Sequence, residues 1–126
     1  MIKSVVLILL VLFELQGFTI ENSYNAAQQK ALKSNKILLV FLTKKGCSVC
    51  NKALVKMIKS KSLASLIEKN AVFVLIYQEQ KESFPIEMLY TTQYPTLFFL
   101  DREELFTCKA LRGNINITKI IRCLDP

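Results

Sequence analysis

The chain has 126 residues, 52% of them hydrophobic and 21% charged, which suits one globular domain with a short extra apolar segment and excludes disorder. It contains no histidine, so His-dependent zinc sites, catalytic triads and histidine bases are excluded. Lys and Arg number 17 against 10 Asp and Glu, a net charge of +7, and the excess is local: between Lys30 and Lys69 lie ten lysines and one acid, Glu68.

At the start of the chain, Lys3 precedes an unbroken apolar run from Val5 to Phe13, followed by Glu14, Gln16 and Gly17. A basic end and a short apolar core predict a secretory signal peptide over residues 1–17, or an uncleaved N-terminal anchor, with the folded domain over 18–126. The run is shorter than the roughly 20 residues of a comfortable membrane span. Export would place all four cysteines, Cys47, Cys50, Cys108 and Cys123, where disulfides persist. Phe18 to Asn22 reads as a short mature N-terminus.

Asn22 or Ser23 caps a helix whose apolar positions are Tyr24, Ala27, Ala31 and Leu32. Ile37–Leu42 is a continuous apolar run, the pattern of a strand buried on both faces. A turn at Thr43–Gly46 leads into a helix beginning near Cys47, with Ala53, Leu54, Met57 and Ile58 inward and Lys52, Lys56 and Lys59 outward. Ser62 caps a shorter helix through Leu63, Leu66 and Ile67, and Ala71–Tyr77 is a second buried strand. Pro85 opens a helix containing Ile86, Met88 and Leu89. Tyr94-Pro95 breaks the chain before a third strand, Thr96–Leu100. A tight turn at Asp101–Glu104 then gives an antiparallel partner over Leu105–Leu111. Ile117, Ile120, Ile121 and Leu124 mark a last amphipathic helix. Strands separated by helices imply parallel pairing, and the terminal hairpin adds an antiparallel edge: a mixed α/β sheet with helices on both faces.

The motif Cys47-Ser48-Val49-Cys50 follows a strand and a short turn and starts a helix. There the first thiol sits over unpaired backbone N–H groups, whose partial positive charge favours the thiolate that attacks disulfides. Cys50, one turn further in, is placed to close a small ring and release a bound partner. Half a zinc knuckle would need a second such pair, but Cys108 and Cys123 lie 58 and 73 residues beyond Cys50. An inert structural disulfide is the other reading.

Two segments carry a resemblance. ILLVFLTKKGCSVC, a buried strand running into the CxxC, and YPTLFFLDREELF, together with the 44 residues between Cys50 and Pro95, resemble the thioredoxin superfamily over Tyr24 to Leu124. The lysine-rich stretch before Cys47 resembles exported thioredoxin-like domains in particular. The resemblance implies a thioredoxin-like three-layer α/β/α sandwich with a mixed four- or five-stranded sheet, Cys47 as nucleophile and Cys50 as resolving cysteine. It implies a cis Tyr94-Pro95 against the CxxC, with Tyr94, Pro95 and Thr96 binding an extended client segment. The implied function is a cell-envelope thiol–disulfide oxidoreductase, periplasmic or secreted, that reduces or reshuffles disulfides of exported proteins. It works with a membrane or soluble thiol reductant or oxidant, and with neither cofactor nor metal. The alternative is a non-catalytic thioredoxin-fold binding module with structural cysteines. The chain departs from the family in three places. Gly46 replaces the tryptophan before the first cysteine, Val40 or Phe41 replaces a buried aspartate, and Ser48-Val49 supplies no histidine between the cysteines.

Alternation places Phe106, Cys108 and Ala110 on one apolar face of the hairpin strand, and Cys123 lies on the flank of the last helix's stripe. A Cys108–Cys123 bridge is one expectation; a free buried Cys108 with an exposed Cys123 is the other. The Lys30–Lys69 stretch faces solvent, anionic lipid or an acidic partner, and the absence of interleaved exposed aromatics argues against nucleic acid. The N-terminal segment offers a membrane attachment of its own. Asn116-Ile117-Thr118 matches a glycosylation triplet, taken as a chance match.

Overall fold

The computed structural model describes residues 17–80 and 89–125. The leader, apart from Gly17, and the helix expected from Pro85, apart from Leu89, lie outside the described residues. Five strands form one sheet: β1 (Ile20–Glu21), β2 (Ile37–Thr43), β3 (Ala71–Tyr77), β4 (Thr96–Leu100) and β5 (Phe106–Arg112), in the order β1-β3-β2-β4-β5. β1 and β2 run parallel to β3, whereas β4 is antiparallel to both β2 and β5. The helices are α1 (Tyr24–Ser34), α2 (Ser48–Lys59), α3 (Lys61–Asn70) and α4 (Ile117–Leu124).

Successive strand residues point to opposite faces, so each central strand serves two cores. Leu39, Phe41, Phe73, Leu97 and Phe99 pack under α2, α3 and α4. Leu38, Val40, Val72, Val74 and Phe98 pack against Tyr24, Ala27 and Ala31 of α1. This double burial is why β2 and β3 are apolar throughout rather than alternating. It places helices on both faces, as the thioredoxin resemblance implied.

Several details differ from the expectations drawn from the sequence. Phe18–Asn22 is not merely a terminus: Ile20 and Glu21 pair with Phe73 and Val74, and the Phe18 ring lies 4.9 Å from that of Phe73. Ser60, not Ser62, caps α3: its hydroxyl accepts the Leu63 N–H at 3.4 Å, and the same residue ends α2. Leu32 and Ile58, expected inward, are exposed, because each sits at the flank of its helix stripe, beyond the sheet's reach. The hairpin strand does not alternate simply. Leu97 pairs with Leu111, Phe99 with Cys108 and Leu100 with Phe106, so two register shifts interrupt β5. An extra residue at a bulge turns the following side chain to the other face. Cys108 therefore joins the core under α2–α4, while Phe106 stacks on Phe98 and Ala110 packs on the α1 side.

Candidate active site

β2 ends at Thr43, and the turn Lys44–Gly46 reverses the chain into α2. Gly46 has φ +70°, a left-handed conformation that costs a β-carbon-bearing residue about 1 kcal/mol or more. Cys47 is the N-cap of α2 in extended geometry, and its Sγ accepts the Cys50 N–H at 3.1 Å. A cap satisfies one of the orphan donors of the first helical turn; here sulfur does so. Cys47 and Cys50 are joined, with S–S 2.09 Å and Cα–Cα 5.2 Å. Cys47 is half-buried, Cys50 is buried against the core beneath α2, and Ser48 and Val49 between them are exposed. Of the pair, Cys47 is the more exposed residue.

Tyr94-Pro95, immediately before β4, carries a cis peptide bond. Its support is polar and local. The Thr96 hydroxyl donates to the Gln93 carbonyl at 2.6 Å and lies 2.9 Å from the Thr91 hydroxyl; the Gln93 N–H donates to Thr91 Oγ1 at 3.1 Å. The Pro95 carbonyl accepts the Gly113 N–H at 2.7 Å. Thr96 is fully buried, so its side chain holds the segment from beneath. Tyr94 is half-buried, its hydroxyl donates to the Thr91 carbonyl at 3.4 Å, and the Lys44 ammonium lies 5.4 Å from its ring centre. Burial first, then the charges of Glu79 and Tyr90, pushes the Tyr94 phenol above its ordinary value, so it stays neutral. The Lys45 N–H donates to the Glu79 carboxylate at 3.2 Å, tying the turn before Cys47 to the end of β3.

Sequence reasoning does not single out Thr91, Gln93, Lys44 or Glu79 as supports. The run Thr91-Thr92-Gln93 before Tyr94-Pro95 is the available signal, since such hydroxyls and amides hold turns by side-chain-to-backbone bonds. Beneath the disulfide the core is apolar. Phe41 lies in the Cys50 cluster, and the buried polar side chains among the described residues are Thr43, Thr91 and Thr96. No buried carboxylate among them stands ready to take a proton from Cys50. The second cysteine pair joins β5 to α4: Cys108 and Cys123 have S–S 2.15 Å and Cα–Cα 6.0 Å.

A mixed sheet flanked by helices, with a CxxC at a helix N-terminus after a central strand, defines the fold and site of a thiol–disulfide oxidoreductase. The sequence profile of the thioredoxin-like family matches residues 19–102, and the chain belongs to that family. Among solved structures, a putative disulphide-isomerase from Bacteroides thetaiotaomicron is 20% identical, with 87% of this chain and 95% of that one covered and a TM-score of 0.71. A DsbH oxidoreductase is 18% identical over 86% of this chain and 85% of its own, at TM-score 0.67. A thioredoxin from Thermus thermophilus is 14% identical with the same coverage and TM-score 0.67. At these identities the likeness is one of fold. No curated protein gives a significant match.

Proposed function

We propose that the protein is a cell-envelope thiol–disulfide oxidoreductase that reduces or reshuffles disulfides of exported proteins through Cys47 and Cys50. The observation that carries this reading is the asymmetry of the pair: Cys47 is half-buried and its Sγ accepts a helix N-terminal N–H at 3.1 Å, while Cys50 is buried. In the dithiol form the Cys47 thiolate attacks one sulfur of a client disulfide, forming a mixed disulfide and expelling a client thiolate. The Cys50 thiolate then attacks Cys47 Sγ, giving the Cys47–Cys50 disulfide and the second client thiolate. Two electrons pass to the client, which takes up two protons; a thiol reductant of the envelope restores the dithiol. The backbone at Tyr94-Pro95 aligns the extended client segment, with Tyr94 as its wall. With no carboxylate beneath Cys50 among the described residues, its proton goes to solvent or to the leaving thiolate. Reshuffling suits that arrangement, because the mixed disulfide persists longer.

Export is supported by the leader pattern over residues 1–17 and by the pairing of all four cysteines, which suits an oxidising compartment. Among the described residues no helix is long and apolar enough to cross a membrane. The test is trapping and titration. Cys50→Ser accumulates mixed disulfides with client proteins, and Cys47→Ser accumulates none. Equal trapping by both, or by neither, removes the role assignment. Equilibration of Cys47–Cys50 near about −200 mV supports the enzyme, and resistance beyond about −300 mV supports a binding module with structural cysteines.

A further inference from the structure

The outward side of α2 carries features that disulfide exchange does not use. Lys52, Lys56 and Lys59 recur at helical spacing and line a shallow groove with Asn51 and Val55. Apolar side chains stand exposed among them: Val49 is 58% exposed and Val55 46%. α3, in the same layer, adds Lys61 and Lys69 against the single acid Glu68. Among the described residues no ion pair neutralises any of these five lysines. Isolated exposed apolar residues are ordinary. Aliphatic side chains between lysine stems on one helix face fit an interface with an apolar interior and an anionic surface, since the stems lie on the apolar part and the ammonium groups reach the charge.

A second observation concerns where the apolar leader meets the domain. A β-carbon built on Gly17 would lie 3.9 Å from the Ala64 side chain of α3, and Phe18 packs on the core beneath that helix. Gly17 and Phe18 thus lie in the layer that carries the lysines, not in the α1 layer. An apolar leader in the sequence and a basic, apolar-studded helix face are the two signals that together hold a chain at a bilayer.

We propose that the outer face of α2 and α3 seats on an anionic phospholipid bilayer, with Lys52, Lys56 and Lys59 at the headgroups and Val55 between them. This binding site goes beyond dithiol exchange and does not depend on it. It would hold the Cys47 end of α2 at the rim of the membrane surface.

The test is co-sedimentation of the full-length chain with vesicles of phosphatidylcholine alone or mixed with phosphatidylglycerol. The leader is common to every variant, so the readout is the ratio of bound protein between the two vesicles, compared across variants. The anionic vesicles bind about tenfold more or better, falling with added salt. Lys52→Glu/Lys56→Glu/Lys59→Glu abolishes the preference, and the milder Lys52→Gln/Lys56→Gln/Lys59→Gln weakens it with less risk to folding. Lys33→Glu/Arg102→Glu/Lys109→Glu, the same charge change elsewhere, keeps it. Equal binding to both vesicles overturns the proposal, as does equal loss in the control variant. Capture of soluble polyglutamate without any vesicle preference also overturns it and reassigns the face to an acidic protein. Exchange with a soluble client disulfide stays at the parent rate in all three variants, which keeps this question separate from the dithiol function.

Discussion

Cys47–Cys50 spans three positions at the start of α2, whereas Cys108–Cys123 ties the edge strand β5 to the last helix across 15 positions. Both pairs pack on the same core beneath α2, α3 and α4. Their difference lies in what each constrains and what surrounds it. By chain entropy a loop of 15 residues contributes about 3 kcal/mol and one of three or four residues about 2 kcal/mol or less. The short bridge also sits over backbone donors that stabilise its open, thiolate form. The long bridge joins an edge strand broken by two bulges to a helix of eight residues, fixing the end of the chain on the sheet. On the proposed function, a disulfide that stabilises the fold and a disulfide that is given up in exchange coexist in one core.

The largest expected effect divides the two by activity. Cys47→Ser brings client disulfide exchange down to the uncatalysed background, because no other described cysteine sits at a helix N-terminus. Cys108→Ala/Cys123→Ala keeps exchange within a small factor of the parent, read by single-turnover reduction of a disulfide peptide. If both variants lose activity alike, the division fails.

By stability the order reverses. Cys108→Ala/Cys123→Ala lowers unfolding free energy by about 3 kcal/mol in urea titrations. Cys47→Ala/Cys50→Ala costs less. Under graded reductant the Cys47–Cys50 bridge opens first, and mass spectrometry finds a Cys108–Cys123 peptide still bonded.

The hairpin has a second tether, which sharpens the comparison. The Tyr24 hydroxyl donates to Glu104 at 2.8 Å and the Gln28 amide donates to the same carboxylate, fastening the β4–β5 turn to α1. Burial first, then the hydrogen bond and charge of Glu104, raises the Tyr24 phenol above its ordinary value of 10.0. A tyrosine raised in the folded state contributes fully below the unfolded value and loses that contribution as pH climbs past it. Above pH about 10, stability therefore falls by about 1.4 kcal/mol per pH unit from this group. Tyr24→Phe removes that part of the alkaline slope, measured by urea titrations between neutral and alkaline pH.

The smallest effect probes the turn before Cys47. Gly46→Ala meets nothing within 4 Å, so its cost is backbone strain alone at φ +70°. Stability drops by about 1 kcal/mol while the exchange rate holds, measured by thermal unfolding beside the peptide assay.

Much of this molecule is legible in its residues alone. β2 and β3 read as doubly buried strands, because a residue pair alternating between two cores must be apolar at every position. The CxxC reads as a helix start because two cysteines after a Lys-Lys-Gly turn have few other uses in a chain without histidine. Other features are set by contacts between distant segments. Nothing in Phe18–Asn22 announces a strand until β3 offers its edge. The alternation of Phe106, Cys108 and Ala110 is a sound local pattern that two bulges overrule. Thr96 looks available to a client until Thr91 and Gln93 engage its hydroxyl.

The sequence by itself determined the periodicities and the spacing of the cysteines, because these depend on residues within one or two turns of each other. Only the tertiary structure decided which face each side chain of β5 takes, how Cys108 reaches Cys123, and what lies beneath Cys50. Those outcomes depend on register and on packing between elements far apart in the chain, where a shift of one residue exchanges the inside of the sheet for its other side.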